Sequence, residues 1–343
     1  MRSAFGASFD VPAGYLNTPS IGIPPERAGE AVSAAVRRWR CGGDDPVDFD
    51  EPVAASRAGF ARLVGVDAER VALGSTVSQL VALVAAGVPE GGRVLLAEGD
   101  FTSVGFPFAV RARASGGTVT EVPLGELVSS VDGHDVVAVS VVQSADGRMV
   151  HLPALRAACA ATGARVLLDV TQAAGWLPLR LDWADWVVCA GYKWLMAPRG
   201  AAWLAVRPEA MERTVPVAAN WYAGTDPWRT TYGLPLRLAA GARGLDLSPV
   251  WHAHLGAAAT LEYLAGLDPA AVREHCTGLA DLFLERLGQA ARGSAIVSLT
   301  VDGAAERLAA AGVRAGVRAG RARVGFHLYN TVDDVELAAR ALS

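Results

Sequence analysis

The sequence predicts an α/β protein: a mostly parallel sheet between helices in a large domain, followed by a smaller C-terminal α+β domain. Three observations predict it. Short continuous apolar runs, such as Val166-Leu167-Leu168, Trp186 to Ala190 and Val136 to Val142, have the character of strands buried on both faces. Amphipathic stretches of helical length lie between and after them. At 343 residues the chain is long enough for one large unit plus a second, smaller one. The boundary is expected near residue 250, with 16–250 as the large domain and 251–343, joined by 1–15, as the small one.

Composition narrows the function classes. Hydrophobic content of 52% with 19% charged residues describes a compact soluble protein. A net charge of −4 without a Lys/Arg cluster gives no reason to expect nucleic acid as a partner. The longest apolar stretch, Val71 to Val88, is broken by Ser75, Thr76, Ser78 and Gln79, so no membrane span is expected. The N-terminus lacks the apolar core of a signal peptide. The four cysteines, Cys41, Cys159, Cys189 and Cys276, lie far apart, without zinc-ligand or disulfide-framework spacing. No metal site is expected, and the pattern fits a reducing cytoplasm.

Taken in order, Tyr15-Leu16-Asn17-Thr18-Pro19, then Gly22 and two prolines, delay the first helix to about Glu26, from which an amphipathic pattern runs to Trp39. A second amphipathic helix, Val53 to Val64, carries Arg57. Arg70 to Gln79 reads as strand, turn and helix, with Gly74 allowing a sharp turn and Ser75 and Thr76 at the helix start. Such a start binds anions through free backbone N–H groups, hydroxyls and the helix dipole, although a plain N-cap is its commoner meaning.

Arg93 to Glu98 is the next strand, with Phe101 just beyond it, and Val136 to Val142 leads to Gln143-Ser144. Ala201 to Val206 is a returning strand, whereas Asn220 to Pro249 is rich in Trp, Gly, Pro and Thr and lacks a period. Long aperiodic segments of this kind are usually functional or interfacial. A helix from Trp251 to about Leu264, another from Val272 to Ala291, and a strand from Ile296 to Val301 complete the pattern before the Arg-rich C-terminal stretch.

The stretch from Ala164 to Gly200 carries the chemistry. One apolar run ends on Asp169, and the next delivers Lys193 at the head of a turn, 24 residues later. Ligands of open α/β sheets bind outside the carboxyl ends of the strands, so the two would face one crevice. A lysine amine can hold an aldehyde as a Schiff base, and a carboxylate can keep a pyridine nitrogen protonated, the two protein contributions to pyridoxal phosphate chemistry. A bare Asp–Lys pair is more often a helix cap and a surface amine. Its surroundings decide.

DVTQAAGWLPL followed by GYKWLMAPRG resembles the class V aminotransferase family, the cysteine desulfurases, kynureninases and their relatives. That family shares an Asp-x-x-Gln motif and a (His/Tyr)-Lys-(Trp/Tyr/Phe) motif, here Asp169, Gln172, Tyr192 and Lys193. The resemblance implies fold type I with a seven-stranded sheet, pyridoxal 5'-phosphate (PLP) as cofactor, and a small amino acid as substrate. It also implies a homodimer with active sites at the interface. Lys193 would be the Schiff-base lysine, Asp169 the partner of the pyridine nitrogen, Gln172 a donor to the ring hydroxyl oxygen, and Tyr192 a phosphate contact. Ser75 and Thr76 stand at the family's phosphate cup, Phe101 at the position that stacks on the ring, and Ser144 where relatives often carry Asn. Ser248 replaces the Thr that reaches the neighbouring protomer's phosphate, and Arg243 matches a nearby family arginine. Asn17 lies in a segment that borders the substrate. RVGFHLYNTVDDV is similar to the desulfurase C-terminal motif in which an Arg, here Arg323, grips the substrate carboxylate.

One departure excludes a relative's activity at this level. Desulfurases carry a mobile loop with a nucleophilic Cys before that Arg, whereas Val317-Arg318-Ala319-Gly320 is followed almost at once by Arg323. Persulfide chemistry needs a thiolate there, so desulfurase activity is not expected. The expected reaction starts with Lys193 removing the Cα proton. The product is then set by elimination of a β-substituent (C–S lyases included), by amine transfer, or by return of the proton, as in a racemase or epimerase. The first two, in specialised metabolism, are preferred. A nucleotide-binding or non-catalytic α/β protein is the alternative of another class, but the chain has no G-x-G-x-x-G or Walker pattern.

Overall fold

The computed structural model describes residues 1–343. A short N-terminal hairpin, β1 (Arg2–Ala4) and β2 (Ala7–Phe9), precedes helices α1 (Glu26–Arg40) and α2 (Asp50–Val64). The main sheet then begins, with β3 (Val71–Gly74), α3 (Val77–Ala86), β4 (Arg93–Ala97), α4 (Thr102–Ser115) and β5 (Thr118–Val122). It continues through β6 (Val136–Ser140), α5 (Leu152–Thr162), β7 (Arg165–Asp169), β8 (Trp186–Ala190) and β9 (Ala202–Val206). Seven strands lie in the order β3-β9-β8-β7-β6-β4-β5. Only β9 runs against the others. The mostly parallel seven-stranded sheet of fold type I is therefore present.

The apolar runs form strands because both faces are covered. Val137 and Val139 of β6 pack into one core with α2 and α5, while Val136 and Ala138 pack into another with α3 and α4. Alternate residues of one strand thus serve opposite cores. At the outer edge of the sheet, Leu73 of β3 is paired by the irregular segment before residue 250: its N–H donates to Asp246 Oδ1 at 2.9 Å and its carbonyl accepts from Leu247 N at 2.9 Å. Asp246 is in turn held by a buried ion pair with Arg57 at 2.7 Å.

Beyond the sheet come α6 (Trp251–Ala265), which packs on α1 and α2, then α7 (Pro269–Arg286) and β10 (Ile296–Ser298). α8 (Ala304–Ala310), β11 (Gly316–Arg318), β12 (Arg321–Gly325) and α9 (Val332–Leu342) finish the chain. The strands form an antiparallel sheet, β10-β12-β11. Its core joins Phe283, Val297, Val324 and Leu342 with Leu16 of the N-terminal arm. That arm also bridges the small sheet and the lysine turn: Gly325 N donates to Leu16 O, and Gly22 N donates to Tyr192 O, both at 2.9 Å.

Several expected elements have different ends: the helix read from Val53 starts at Asp50, and the strand read from Val136 to Val142 stops at Ser140. The helix read as Val272 to Ala291 starts at Pro269, because Asp268 caps it by accepting from Ala270 N, and it stops at Arg286 ahead of the left-handed Gly288. The strand read to Val301 ends at Ser298. α4 lacks apolar periodicity and carries Pro107 within it, which is why the pattern did not signal a helix there.

Candidate active site

The carboxyl ends of five parallel strands open into one cavity of about 270 Å³, close to the lower bound of small-molecule sites (~300 Å³). Ser75 and Thr76 follow β3, Phe101 follows β4, Ser144 follows β6, Asp169 and Gln172 close β7, and Tyr192 and Lys193 follow β8; all eight line the cavity. The placement is the one the strand-end rule requires.

Lys193 stands on a tightly held turn. Gly191 N bonds Ala201 O, Ala197 N bonds Gly191 O, and Met196 adopts a left-handed backbone with φ of 55°, a conformation costly for a side-chain-bearing residue. The side chain is buried, and burial lowers the amine pKa to about 8, with Arg323 and Arg318 pushing the same way and Asp169 opposing. Its Nζ lies 5.7 Å from the Tyr192 ring centre. Asp169 is also buried and accepts from Thr171 N at 2.8 Å. Burial raises its pKa to about 6, the Thr171 bonds and Lys193 opposing.

Gln172 is a bolt. Its amide donates to Pro19 O and Ser144 Oγ, each at 3.0 Å, and accepts from Trp194 Nε1 at 2.7 Å. Both amide hydrogens are thereby engaged, so a bond from Gln172 to a ring oxygen needs one of these partners to be exchanged. At the other end, Thr76 Oγ1 caps α3 by accepting from Gln79 N at 3.3 Å, and the hydroxyls of Ser75 and Ser78 share that end of the cavity. Asp100, next to Phe101, anchors the cavity floor through Ser140 N at 2.7 Å.

The expected residues outside the wall are Arg323, Asn17, Ser248 and Arg243. Arg323 is fully enclosed; its guanidinium donates to the carbonyl and hydroxyl of Ser144 and to Ser20 Oγ, and its Nε has no partner. Asn17 lies beside it, with a buried Oδ1 that also lacks a partner. Ser248 is exposed, and Arg243 donates to Tyr222 O at 3.2 Å. Sequence reasoning missed Arg199, which lines the cavity and stacks 5.5 Å from the Tyr192 ring centre. Its signal was present, a cation six residues beyond the lysine in the same turn.

The aminotransferase class-V family profile matches residues 46–337. The chain belongs to that family. Its cofactor is pyridoxal 5'-phosphate, and the residues present suit that group: a buried carboxylate at a strand end, an amine without an ion pair, and a hydroxyl-lined helix start for a phosphate. Isopenicillin N epimerase of Streptomyces clavuligerus is 28% identical over 299 residues, 78% of this chain and 72% of that protein. The Amycolatopsis lactamdurans protein of the same name is 27% identical, over 98% of this chain and 96% of that one. Among solved structures, the cysteine desulfurase of Thermococcus onnurineus NA1 superposes with a TM-score of 0.83 at 20% identity, covering 96% of this chain and 93% of that one. The cystine C–S lyase C-DES also gives 0.83, at 19% identity, covering 96% and 97%. At these identities the structures establish the shared fold alone.

Proposed function

We propose that this class V enzyme is a β-eliminating lyase of the C–S type acting on a small amino acid, with Lys193 as both cofactor anchor and proton carrier. One observation supports the reading above the others: Lys193 is the single amine of the cavity wall, and burial loosens its proton to about 8, close to the range a general base needs near neutral pH. Bound there, the cofactor supplies an electron sink for a carbanion at the substrate Cα. Ser75, Thr76 and Tyr192 would hold its phosphate, Asp169 its pyridine nitrogen and Gln172 its ring hydroxyl, with Phe101 supplying an aromatic wall. Ser144 supports the cofactor and substrate edge. Arg323 and Asn17 take the substrate carboxylate. Lys193 removes the Cα proton and passes it to the departing β-substituent; amine transfer uses the same lysine.

Desulfurase activity stays outside the proposal. Where that chemistry needs a cysteine loop, Ala319 and Gly320 make a tight turn between β11 and β12. Cys159, Cys189 and Cys276 are buried, Cys41 is on the end of α1, and none lines the cavity. The proposal includes a cytoplasmic homodimer in which Ser248 reaches the partner's phosphate. Exposed Trp228, Tyr232, Leu234 and Leu236 form the kind of apolar surface that a second copy would cover.

Epimerisation is the second reading, favoured by the two isopenicillin N epimerases among the relatives. It requires a second proton donor besides Lys193, and Phe101, 5.1 Å from Lys193 Nζ, carries no exchangeable proton. The test is a panel of L- and D-amino acids, including S-substituted cysteines, offered to the purified holoenzyme. Pyruvate and ammonia indicate elimination, keto-acid dependence indicates transfer, and conversion to the mirror-image amino acid without release overturns the lyase reading. Lys193→Ala should retain the fold yet lose the visible absorbance of covalently bound cofactor.

A further inference from the structure

Two guanidinium groups meet over one hydroxyl in this protein, with no carboxylate between them. Arg323 Nη2 donates to Ser20 Oγ at 2.9 Å, and Arg318 Nη2 donates to the same oxygen at 3.3 Å. β11 and β12 pair so that Gly316 opposes Arg323 and Arg318 opposes Arg321. With the strand period of two, the side chains at 316, 318, 321 and 323 therefore share one face. Arg323 is fully enclosed, while Arg318 is exposed at the rim. Neither makes an ion pair with Asp or Glu. A buried guanidinium without a counter-ion is costly, and here burial and Arg318 together lower its pKa to about 10.

Gly316 lets the backbone of β11 pack closely against the pair. A Cβ at Gly316 would come within 2.9 Å of Asn17 Oδ1, 3.3 Å of Ser20 Oγ and 3.5 Å of Arg323 Nη2. The Arg323 Nε and the Asn17 Oδ1 lack partners at the same place. A substrate α-carboxylate neutralises one guanidinium. The second remains.

We propose that Arg318 and Arg323 form a two-cation subsite over Ser20 that selects amino acids carrying a second carboxylate, Arg323 holding the α-carboxylate and Arg318 the distal one. The inference rests on the proposed function for the position of the α-carboxylate, and it names the substrate class. Its test separates the two. Binding of S-(2-carboxyethyl)cysteine and of the neutral S-propylcysteine to the PLP-loaded enzyme is followed by the shift of the cofactor absorbance and, where turnover occurs, by pyruvate release. The wild type should prefer the diacid by about two- to fivefold, the worth of one exposed charge pair. Arg318→Gln should abolish that preference, through KM rather than kcat, and Arg318→Lys should restore part of it. Equal affinities in the wild type, or a preference unchanged in Arg318→Gln, would overturn the subsite. So would an equal loss for both ligands, since that would mean both arginines hold one carboxylate. Preferential binding of the diacid without release of pyruvate would overturn elimination and leave the subsite standing.

Discussion

The amine of Lys193 lies 5.1 Å from the centre of the Phe101 ring and forms no ion pair with Asp169. Two aromatic faces and one nearby carboxylate favour the ammonium, yet burial outweighs them and brings the pKa to about 8 from 10.5. The neutral amine is the form that attacks an aldehyde. Capture of PLP by the cofactor-free protein should therefore accelerate as pH rises from 7 and level off above about 8. Stopped-flow absorbance across that range measures it. A rate still rising tenfold per pH unit at pH 9 would show an amine with its ordinary pKa.

Acid should destabilise the cofactor-free protein, because two histidines are locked in their neutral form. Burial lowers His254 to about 4 and His327 to about 3 from 6.5. The unfolded chain gains these protons below about pH 6.5 and the folded chain does not, so stability falls as pH drops from 6.5 toward 4. Asp169, raised to about 6, acts in the opposite sense, since the folded state takes its proton first. His275, also lowered by burial, adds to the histidines, and Asp246, also raised by burial, adds to Asp169; the histidines prevail. The net loss between pH 7 and 5 should be on the order of 2 kcal/mol, measured by urea denaturation. Unchanged stability would place water or a counter-charge at these imidazoles.

How much of this was legible beforehand depended on the length scale of the interaction. Strand identity was readable because burial on both faces leaves a mark within five residues, as in Val166 to Asp169. The placement of Lys193 opposite Asp169 followed from strand ends alone. The contacts around Arg323 were not readable. Ser20 and Ser144 lie 303 and 179 residues away in sequence, and no local period reports such a meeting. Arg57 and Asp246 illustrate the same limit: an Arg on an amphipathic helix reads as surface, whereas its partner 189 residues on makes it core.

That buried pair carries a prediction. Arg57 donates to both carboxylate oxygens of Asp246, at 3.0 and 2.7 Å, and Asp246 holds the Leu73 N–H just before the Gly74-Ser75 turn. Arg57→Ala leaves Asp246 enclosed with only the longer contact to Arg243 Nε, at 3.8 Å, in place of its two-oxygen partner. The expected loss is about 3–5 kcal/mol of folding free energy, together with weaker PLP binding, because β3 carries the Ser75 and Thr76 hydroxyls. Arg57→Lys should rescue only part, since an ammonium cannot reproduce the two-oxygen fork. Full rescue by lysine, read from denaturation midpoints, would show that charge alone matters at this position.

The lysine turn is also braced from outside the large sheet, by the N-terminal arm. Gly22 N donates to Tyr192 O at 2.9 Å, and a Cβ at Gly22 would come within 2.0 Å of the Lys193 carbonyl oxygen. Backbone atoms that close cannot yield as a flexible side chain does, so Gly22→Ala must move the arm or the turn. Overpacking of this kind costs about 1–3 kcal/mol. If the arm moves, stability falls and cofactor affinity is kept; if the turn moves, Lys193 is displaced and PLP affinity falls with it. Met196 already holds that turn in a left-handed backbone, whereas the arm is fixed through Leu16 to both Arg314 and Gly325. The turn, although hydrogen-bonded at both ends, already stores backbone strain at Met196, so it is the side expected to shift. Gly22→Ala should therefore weaken PLP binding more than it lowers the melting temperature, as titration of the cofactor absorbance beside thermal unfolding would measure. Wild-type cofactor affinity in this variant would show that the arm does not position Lys193.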